Sequence, residues 1–104
     1  MLKISDSASE QIQAQIKEQN ISDLFLRIAA KTNQDGSFEY GMGFDESNEH
    51  DVKIKKDDLI IIIDPQSAEL LEDTTMDFVA LEDGEMHFIF ANPLDKDYVP
   101  PKKG

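Results

Sequence analysis

The chain has 104 residues, 39% of them hydrophobic, and its 22 acidic and 10 basic side chains give a formal net charge of -12. A charge of that sign repels nucleic acid and anionic membranes, so neither is an expected partner. The absence of cysteine from all 104 residues excludes disulfides and thiolate metal sites.

The N-terminal segment predicts a short strand at residues 2–4 and a helix over residues 7–18. Ser5 or Asp6 can cap this helix, because both residue types accept hydrogen bonds from the free N–H groups of a first turn. The apolar side chains of the helix recur every four residues, at Ala8, Ile12 and Ile16. This narrow stripe is typical of a helix that packs on a sheet.

Two strands with alternating side chains are predicted next, at residues 24–31 and 38–44, separated by the turn sequence NQDGS. The second strand places aromatic residues on one face, while Gly41 and Gly43 leave the opposite face almost without side chains. Glycines in a strand invite another backbone to approach closely, and this face could be packed within a sheet or could form a docking face.

The apolar run LIIII at residues 59–63 is expected to form a central strand, because it is apolar on both faces. A short strand is predicted to begin at Val52 before it. Pro65 suits the first position of a second, short helix, which is predicted to end near Asp73.

Residues 76–80 and 86–90 alternate on either side of the turn sequence EDGE, which predicts a β-hairpin. Residues 96–104 show no periodicity and contain two prolines and terminal lysines, so we expect a flexible C-terminal tail. With about seven short strands, two helices and no linker, residues 1–95 are expected to form one mostly β (α+β) domain.

Six short motifs in chain order are ISDSA, LRIAAKT, EYGMGFDE, IIIDPQSAELL, TTMDF and FIFANP. Together they resemble the A-type iron–sulfur carriers of the HesB/IscA/SufA kind over nearly the whole chain. The resemblance implies a compact HesB-like domain of two packed, twisted sheets with an N-terminal helix. That architecture agrees with the elements predicted from the alternation of side chains.

The A-type carriers have three cysteines, one in the loop after the second strand and two in a Cys-Gly-Cys motif near the C-terminus. The resemblance places these positions at Asp35, Val99 and Pro101. Iron–sulfur clusters need thiolate ligands in all but a few sites, which a carboxylate, an alkyl group and an imino ring do not supply. Asp73 and His87 stand where the family pattern has glycine. The chain is similar to the cysteine-free DsrR-like branch, whose role is regulatory in sulfur oxidation.

The acidic loop at residues 45–51 offers oxygen ligands to a hard cation. The candidate metal ligands are Asp45, Glu49, His50 and Asp51, with Asp35 as a further carboxylate. An EF-hand pattern fails here, because its bidentate glutamate position holds Lys56 and its glycine position is not glycine. A solvated loop is the competing interpretation, and turn chemistry is the simpler reading of Asp35-Gly36. For His87 a surface role is predicted, because no second histidine lies nearby in the sequence.

We therefore expect a non-catalytic IscA-like protein that has lost iron–sulfur cluster binding and holds no cofactor. It is expected to act on a protein partner, with a regulatory role in a bacterial sulfur-oxidation or redox pathway. A carboxylate-based protein that binds or delivers iron or another divalent metal is the alternative. An enzyme is not expected, because the sequence has no cysteine, two histidines and no glycine-rich phosphate loop.

Two further properties are expected from the sequence. A-type relatives often associate through their cysteine-bearing tails, and without those ligands a monomer is expected. The first residues carry no cationic segment before an apolar run, and the longest apolar stretch, residues 59–63, is too short to span a membrane. A cytoplasmic protein is therefore expected.

Overall fold

The computed structural model describes residues 1–21 and 23–95 and places seven strands and two helices within them. In chain order these are β1 (Lys3–Ile4), α1 (Asp6–Gln19), β2 (Phe25–Thr32), β3 (Phe38–Asp45), β4 (Val52–Lys56), β5 (Leu59–Ile63), α2 (Pro65–Leu70), β6 (Thr75–Ala80) and β7 (Met86–Ala91). All the predicted elements are present, although α2 ends before Asp73. The predicted tail, residues 96–104, lies outside the described residues.

Helix α1 begins and ends at residues suited to capping. The Ser5 hydroxyl accepts a hydrogen bond from the Ala8 backbone N–H at 3.0 Å, and Asn20 closes the helix in the left-handed conformation with φ 54°. Ala8 and Ile12 are buried, and Ile16 packs against the same core from a partly buried position. Within the described part of the chain, no helix has the length and apolar character needed to cross a membrane.

The larger sheet has four strands in the order β3-β2-β5-β4. β2 pairs antiparallel with β3 along its whole length and parallel with β5, where Leu26 lies opposite Ile61. β4 and β5 form an antiparallel hairpin. Because Ile61, Ile62 and Ile63 are at most 1% exposed, the prediction that LIIII is a central strand is confirmed.

The smaller sheet has three strands in the order β1-β6-β7. β1 pairs in parallel with β6, so that Lys3 lies opposite Thr75, and β6 and β7 form the predicted antiparallel hairpin. Both sheets and α1 share one core. Its buried side chains are Leu2, Ile4, Ala8, Ile12, Leu26, Ile28, Leu59, Ile61, Ile63, Leu71 and Met76. The predicted mostly β fold of two packed sheets with two helices is confirmed.

The turn after α2 contains Asp73 in the left-handed conformation, with φ 60°. This region favours glycine, and aspartate enters it more readily than most other residues because its short side chain bonds locally. The family resemblance described above implies glycine at this position. The turn therefore adopts the backbone conformation that a glycine would allow, at some cost in strain.

The prediction that another backbone closely approaches Gly41 and Gly43 is wrong for the part of the chain that the structure describes. A Cβ atom added at either glycine would meet no described heavy atom within 4 Å. β3 is an edge strand of the larger sheet, and the two glycines with Ala29 line a shallow, open depression. The small residues therefore produce a smooth surface and not a packed contact.

Helix α2 contributes a side chain that continues the pairing of β2 beyond the end of β5. The hydroxyl of the buried Ser67 accepts a hydrogen bond from the Ala30 N–H at 3.0 Å and donates one to the Ala30 carbonyl at 3.3 Å. The carboxylate of Asp64 caps α2 and accepts a hydrogen bond from the Ser67 N–H at 3.2 Å. Ser67 thus ties α2 to the larger sheet.

The substitution Ser67→Ala is expected to lower the free energy of unfolding by about 1–3 kcal/mol, because a partly buried N–H and carbonyl lose their partner. Ser7→Ala is the matched control. The Ser7 hydroxyl also donates to a strand carbonyl, that of Phe78 at 2.6 Å, but this bond is exposed and water can replace it. Ser7→Ala is therefore expected to change the free energy of unfolding by no more than about 0.5 kcal/mol. Urea denaturation measures both, and equal losses would contradict the assigned role of Ser67.

Candidate functional site

The turn between β2 and β3 holds Asp35, the position that the family resemblance assigns to the first cysteine. The Asp35 carboxylate accepts hydrogen bonds from the Ser37 N–H at 3.0 Å and from the Ser37 hydroxyl at 2.6 Å. Gly36 beside it has φ 87°, a left-handed value that favours glycine. These bonds are those of an ordinary aspartate turn, so they support the turn interpretation.

The corner after β7 is held by the side chain of Asn92. Asn92 is fully buried, and its side-chain amide donates a hydrogen bond to the Leu70 carbonyl at 2.8 Å. Its side-chain oxygen accepts one from the Leu94 N–H at 3.0 Å. A single asparagine therefore joins the end of α2 to the corner, which explains why FIFANP continues with a sharp change of direction.

Tyr40 on β3 fixes the same corner from the other side. Its ring stacks on Phe90 at a centroid distance of 4.6 Å, and its hydroxyl donates a hydrogen bond to Asp95 at 2.9 Å. Burial, followed by the bond to this carboxylate, raises the pKa of Tyr40 above its usual range. The tyrosine therefore stays protonated and holds Asp95 beside β3. Tyr40 itself is close in sequence to Asp35.

The residues at this end of the molecule do not fit an iron–sulfur cluster. The side chain of Asp35 offers hard oxygens, one of which is bonded to Ser37 within the turn, whereas cluster iron requires soft sulfur. The other two assigned positions, Val99 and Pro101, lie outside the described residues, and neither side chain has a donor atom. The fold is retained while the ligand chemistry is not.

The acidic loop after β3 is organised by Arg27 of β2. Its guanidinium donates to Asp45 at 2.7 Å and to both oxygens of Asp51 at 2.9 and 2.7 Å. The Asp51 side chain is fully buried, and it also accepts a hydrogen bond from the Asn48 N–H at 2.8 Å. The bonds from Arg27, then the backbone N–H of Asn48, lower the pKa of Asp51 to about 2. Arg27 likewise lowers the pKa of Asp45.

The substitution Arg27→Met is expected to destabilise the protein most above pH 4 and progressively less below it. Asp51 has an ordinary carboxyl pKa of about 3.9 when unfolded and about 2 when folded. Its stabilising contribution is therefore complete above the unfolded pKa and is lost as pH falls through about 2. Urea denaturation from pH 7 to pH 2 should show the gap between wild type and variant narrowing in acid.

Lys31→Met is the matched control for this pH series. Lys31 also lies on β2 and pairs with Glu39 at 3.0 Å, but its side chain is 74% exposed. An exposed pair of this kind contributes little, so the control is expected to stay near the wild-type stability at every pH. A gap between Arg27→Met and wild type that is constant with pH would contradict the Asp51 assignment.

The five residues proposed as metal ligands from the sequence are not assembled into one site. Asp45 and Asp51 come together around Arg27, while Asp35 lies beyond the opposite end of β3. Glu49 and His50 lie 3.5 Å apart with largely exposed side chains. Metal binding by this set stays a prediction, and the geometry adds nothing in its favour.

A group not predicted from the sequence occurs at the β6–β7 turn. The ligand atoms of Asp83, Glu85 and His87 lie within 4.8 Å of one another. It was missed because His87 was considered only with respect to a second histidine. The signal was present in the sequence: a hairpin centred on Asp83-Gly84 brings residue 87 back beside the turn.

The fold of two packed sheets with two helices is shared with solved structures of a class of proteins, the A-type iron–sulfur carriers. Escherichia coli SufA, described as involved in biosynthesis of iron–sulfur clusters, has a TM-score of 0.71 at 22% identity, covering 89% of this chain and 86% of its own. IscA with the [2Fe-2S] cluster has a TM-score of 0.68 at 22% identity, covering 89% and 83%. At this identity the likeness establishes the fold alone.

The chain belongs to the iron–sulphur cluster biosynthesis family, whose model matches residues 1–100. The iron–sulfur cluster insertion protein ErpA of Vibrio cholerae is 33% identical over 89 residues, covering 85% of this chain and 79% of that protein. ErpA of Alkalilimnicola ehrlichii is 33% identical over 93 residues, covering 88% and 75%. The family resemblance read from the sequence is confirmed.

Proposed function

We propose that this chain is a member of the family that has lost iron–sulfur cluster binding and works without catalysis, through contact with a protein partner. The observation that carries the proposal is the absence of cysteine from all 104 residues of an otherwise A-type chain. The curated relatives are named for cluster insertion. A chain with their fold but without sulfur donors lacks the thiolates that hold an iron–sulfur cluster, so its proposed action is through contact with a protein partner.

The bonding at Asp35 supports this reading. If its carboxylate had replaced cysteine as an iron ligand, its oxygens would be directed out of the turn. Instead one of them, Oδ1, accepts both hydrogen bonds from Ser37 within the turn. The aspartate at position 35 therefore stabilises the turn, which is the role expected of this position in a protein that no longer uses it as a cluster ligand.

The direct test is anaerobic reconstitution with ferrous iron and sulfide, followed by desalting and analysis of bound iron and sulfide. The expected result is no stoichiometric cluster and no visible absorption band. IscA, whose solved structure holds a [2Fe-2S] cluster, should acquire a cluster under the same conditions and validates the procedure. Stoichiometric iron and inorganic sulfide on this chain would overturn the proposal.

The proposed role in regulation rests on the similarity to the cysteine-free DsrR-like branch. A strain that lacks the protein is expected to show altered amounts of sulfur-oxidation or redox proteins, with no loss of iron–sulfur enzymes elsewhere in the cell. Quantitative proteomics of the deletion strain, with the wild-type gene restored as control, measures this. A general loss of iron–sulfur enzymes would indicate cluster delivery and contradict the proposed role.

A further inference from the structure

The turn between β6 and β7 is held in one conformation by its own backbone. The Leu81 N–H donates to the Glu85 carbonyl at 3.0 Å, and the Gly84 N–H donates to the Leu81 carbonyl at 2.9 Å. Gly84 has φ 79°, which this tight turn requires and glycine adopts without strain. A hydrogen bond from the Glu85 N–H to one oxygen of Asp83, at 2.9 Å, orients the Asp83 carboxylate. The side chains on this turn therefore have fixed starting points.

The second oxygen of Asp83 faces the imidazole of His87. Asp83 Oδ2 lies 3.0 Å from His87 Nε2, and the Glu85 carboxylate completes a group whose three ligand atoms lie within 4.8 Å of one another. The backbone N–H of Glu85, then His87, lowers the pKa of Asp83, so this carboxylate is anionic near neutral pH. Both Asp83 and His87 remain accessible, at 54% and 40% side-chain exposure.

We propose that the β6–β7 turn binds a divalent cation of the Zn²⁺ class through His87 Nε2, Asp83 Oδ2 and the Glu85 carboxylate. Imidazole nitrogen with carboxylate oxygen suits Zn²⁺ and its neighbours among the transition metals, whereas Ca²⁺ and Mg²⁺ prefer oxygen alone. The site is distinct from the acidic loop at residues 45–51. It also does not depend on the loss of the iron–sulfur cluster, because none of its ligands is at a position assigned to a cysteine.

The distances suit such an ion after small side-chain rotations. Zn²⁺ bonds of about 2.1 Å in a tetrahedral site place the ligand atoms roughly 3.4 Å apart. Asp83 and His87 start at 3.0 Å and need only separate slightly. Glu85 precedes β7 and is exposed, so its side chain is able to rotate toward the other two. Three protein ligands leave a fourth position for water or for a side chain of a partner.

Calorimetric titration of the full chain with Zn²⁺ alone, in a buffer that does not bind metal, tests the site. The expected result is saturable binding of one ion per chain, with a dissociation constant below about 1 mM. His87→Gln is expected to weaken binding at least about tenfold, because even a group that only supports a metal ligand is worth 10- to 100-fold. His50→Gln is the matched control: His50 also lies beside a carboxylate, that of Glu49 at 3.5 Å, but belongs to no such group of three among the described residues. It should bind as the wild type does.

Glu85→Gln provides a second variant. Its position is exposed and outside the strands, so the substitution is expected to leave the fold intact. It is expected to weaken Zn²⁺ binding while leaving the thermal unfolding of the metal-free protein unchanged. Proton NMR of the two histidine rings gives an independent readout, in which only the His87 signals should shift on addition of Zn²⁺. Absence of saturable binding, or equal weakening by His87→Gln and His50→Gln, would overturn the proposal. Neither result bears on the cluster reconstitution experiment.

Discussion

Replacement of Asp35, Val99 and Pro101 together by cysteine is expected to give the chain an iron–sulfur cluster that the wild-type protein does not acquire. The fold is that of the A-type carriers, and these are the positions that the family resemblance assigns to the three ligands. Tyr40 of β3 donates a hydrogen bond to Asp95, which is the last described residue before the two C-terminal positions. Thiolate restores the soft donor that cluster iron requires.

Anaerobic reconstitution of the triple variant, with analysis of iron, sulfide and visible absorption, measures this gain. The matched control keeps the two C-terminal cysteines but has Asp45→Cys in place of Asp35→Cys. It contains the same number of thiols, yet Asp45 is at the other end of β3. A cluster in both variants would show that any three thiols suffice. No cluster in the first would show that this chain differs from the carriers in more than its ligands.

The substitution Ile61→Ala is expected to lower the free energy of unfolding by about 2–5 kcal/mol. Ile61 is fully buried at the middle of β5, where it lies opposite Leu26 of β2 and Ile54 of β4. Truncation removes apolar surface from the core and leaves a cavity that two flanking strands prevent from collapsing. A domain of this size has about 5–15 kcal/mol of stability, so the loss is a large fraction of the total.

Urea denaturation followed by circular dichroism measures the effect, with Ile61→Val as a graded control. The valine variant removes one methylene from the same site and is expected to lose about 0.5–1.5 kcal/mol. Val52→Ala is a second control, because Val52 is 36% exposed at the edge of the same sheet. A loss below about 1 kcal/mol for Ile61→Ala would contradict the central position of β5 in the core.

Most elements of this fold could be predicted from the sequence because the pattern of apolar side chains reflects which faces are buried. Period-two alternation identified β2, β3, β6 and β7, and an unbroken apolar run identified β5. The division into two sheets was not predicted beyond the family resemblance. It depends on the parallel pairing of β1 with β6, which joins Lys3 to Thr75. No local pattern reports a pairing between segments so far apart in the chain.

The candidate sites show the same limit. Turn chemistry could be proposed for Asp35 from the sequence, since Ser37, which donates two hydrogen bonds to it, is only two positions away. The acidic loop was read as solvated or as a metal site, whereas Arg27, which organises it, comes from a strand 24 residues earlier than Asp51. The smooth face at Gly41 and Gly43 was read as a contact, because the residue type alone does not distinguish an edge strand from a central one.

The hydroxyl of Ser67 has a consequence for the motions of the domain. The Ala30 N–H donates its hydrogen bond to a helix side chain and not to a neighbouring strand. Its amide proton is therefore shielded from solvent only while α2 is docked on the sheet. Its exchange with deuterated solvent therefore reports the undocking of α2, separately from the opening of the sheet. The Asn92 side chain also bonds to the last turn of α2, so the same undocking would release the root of the C-terminal segment.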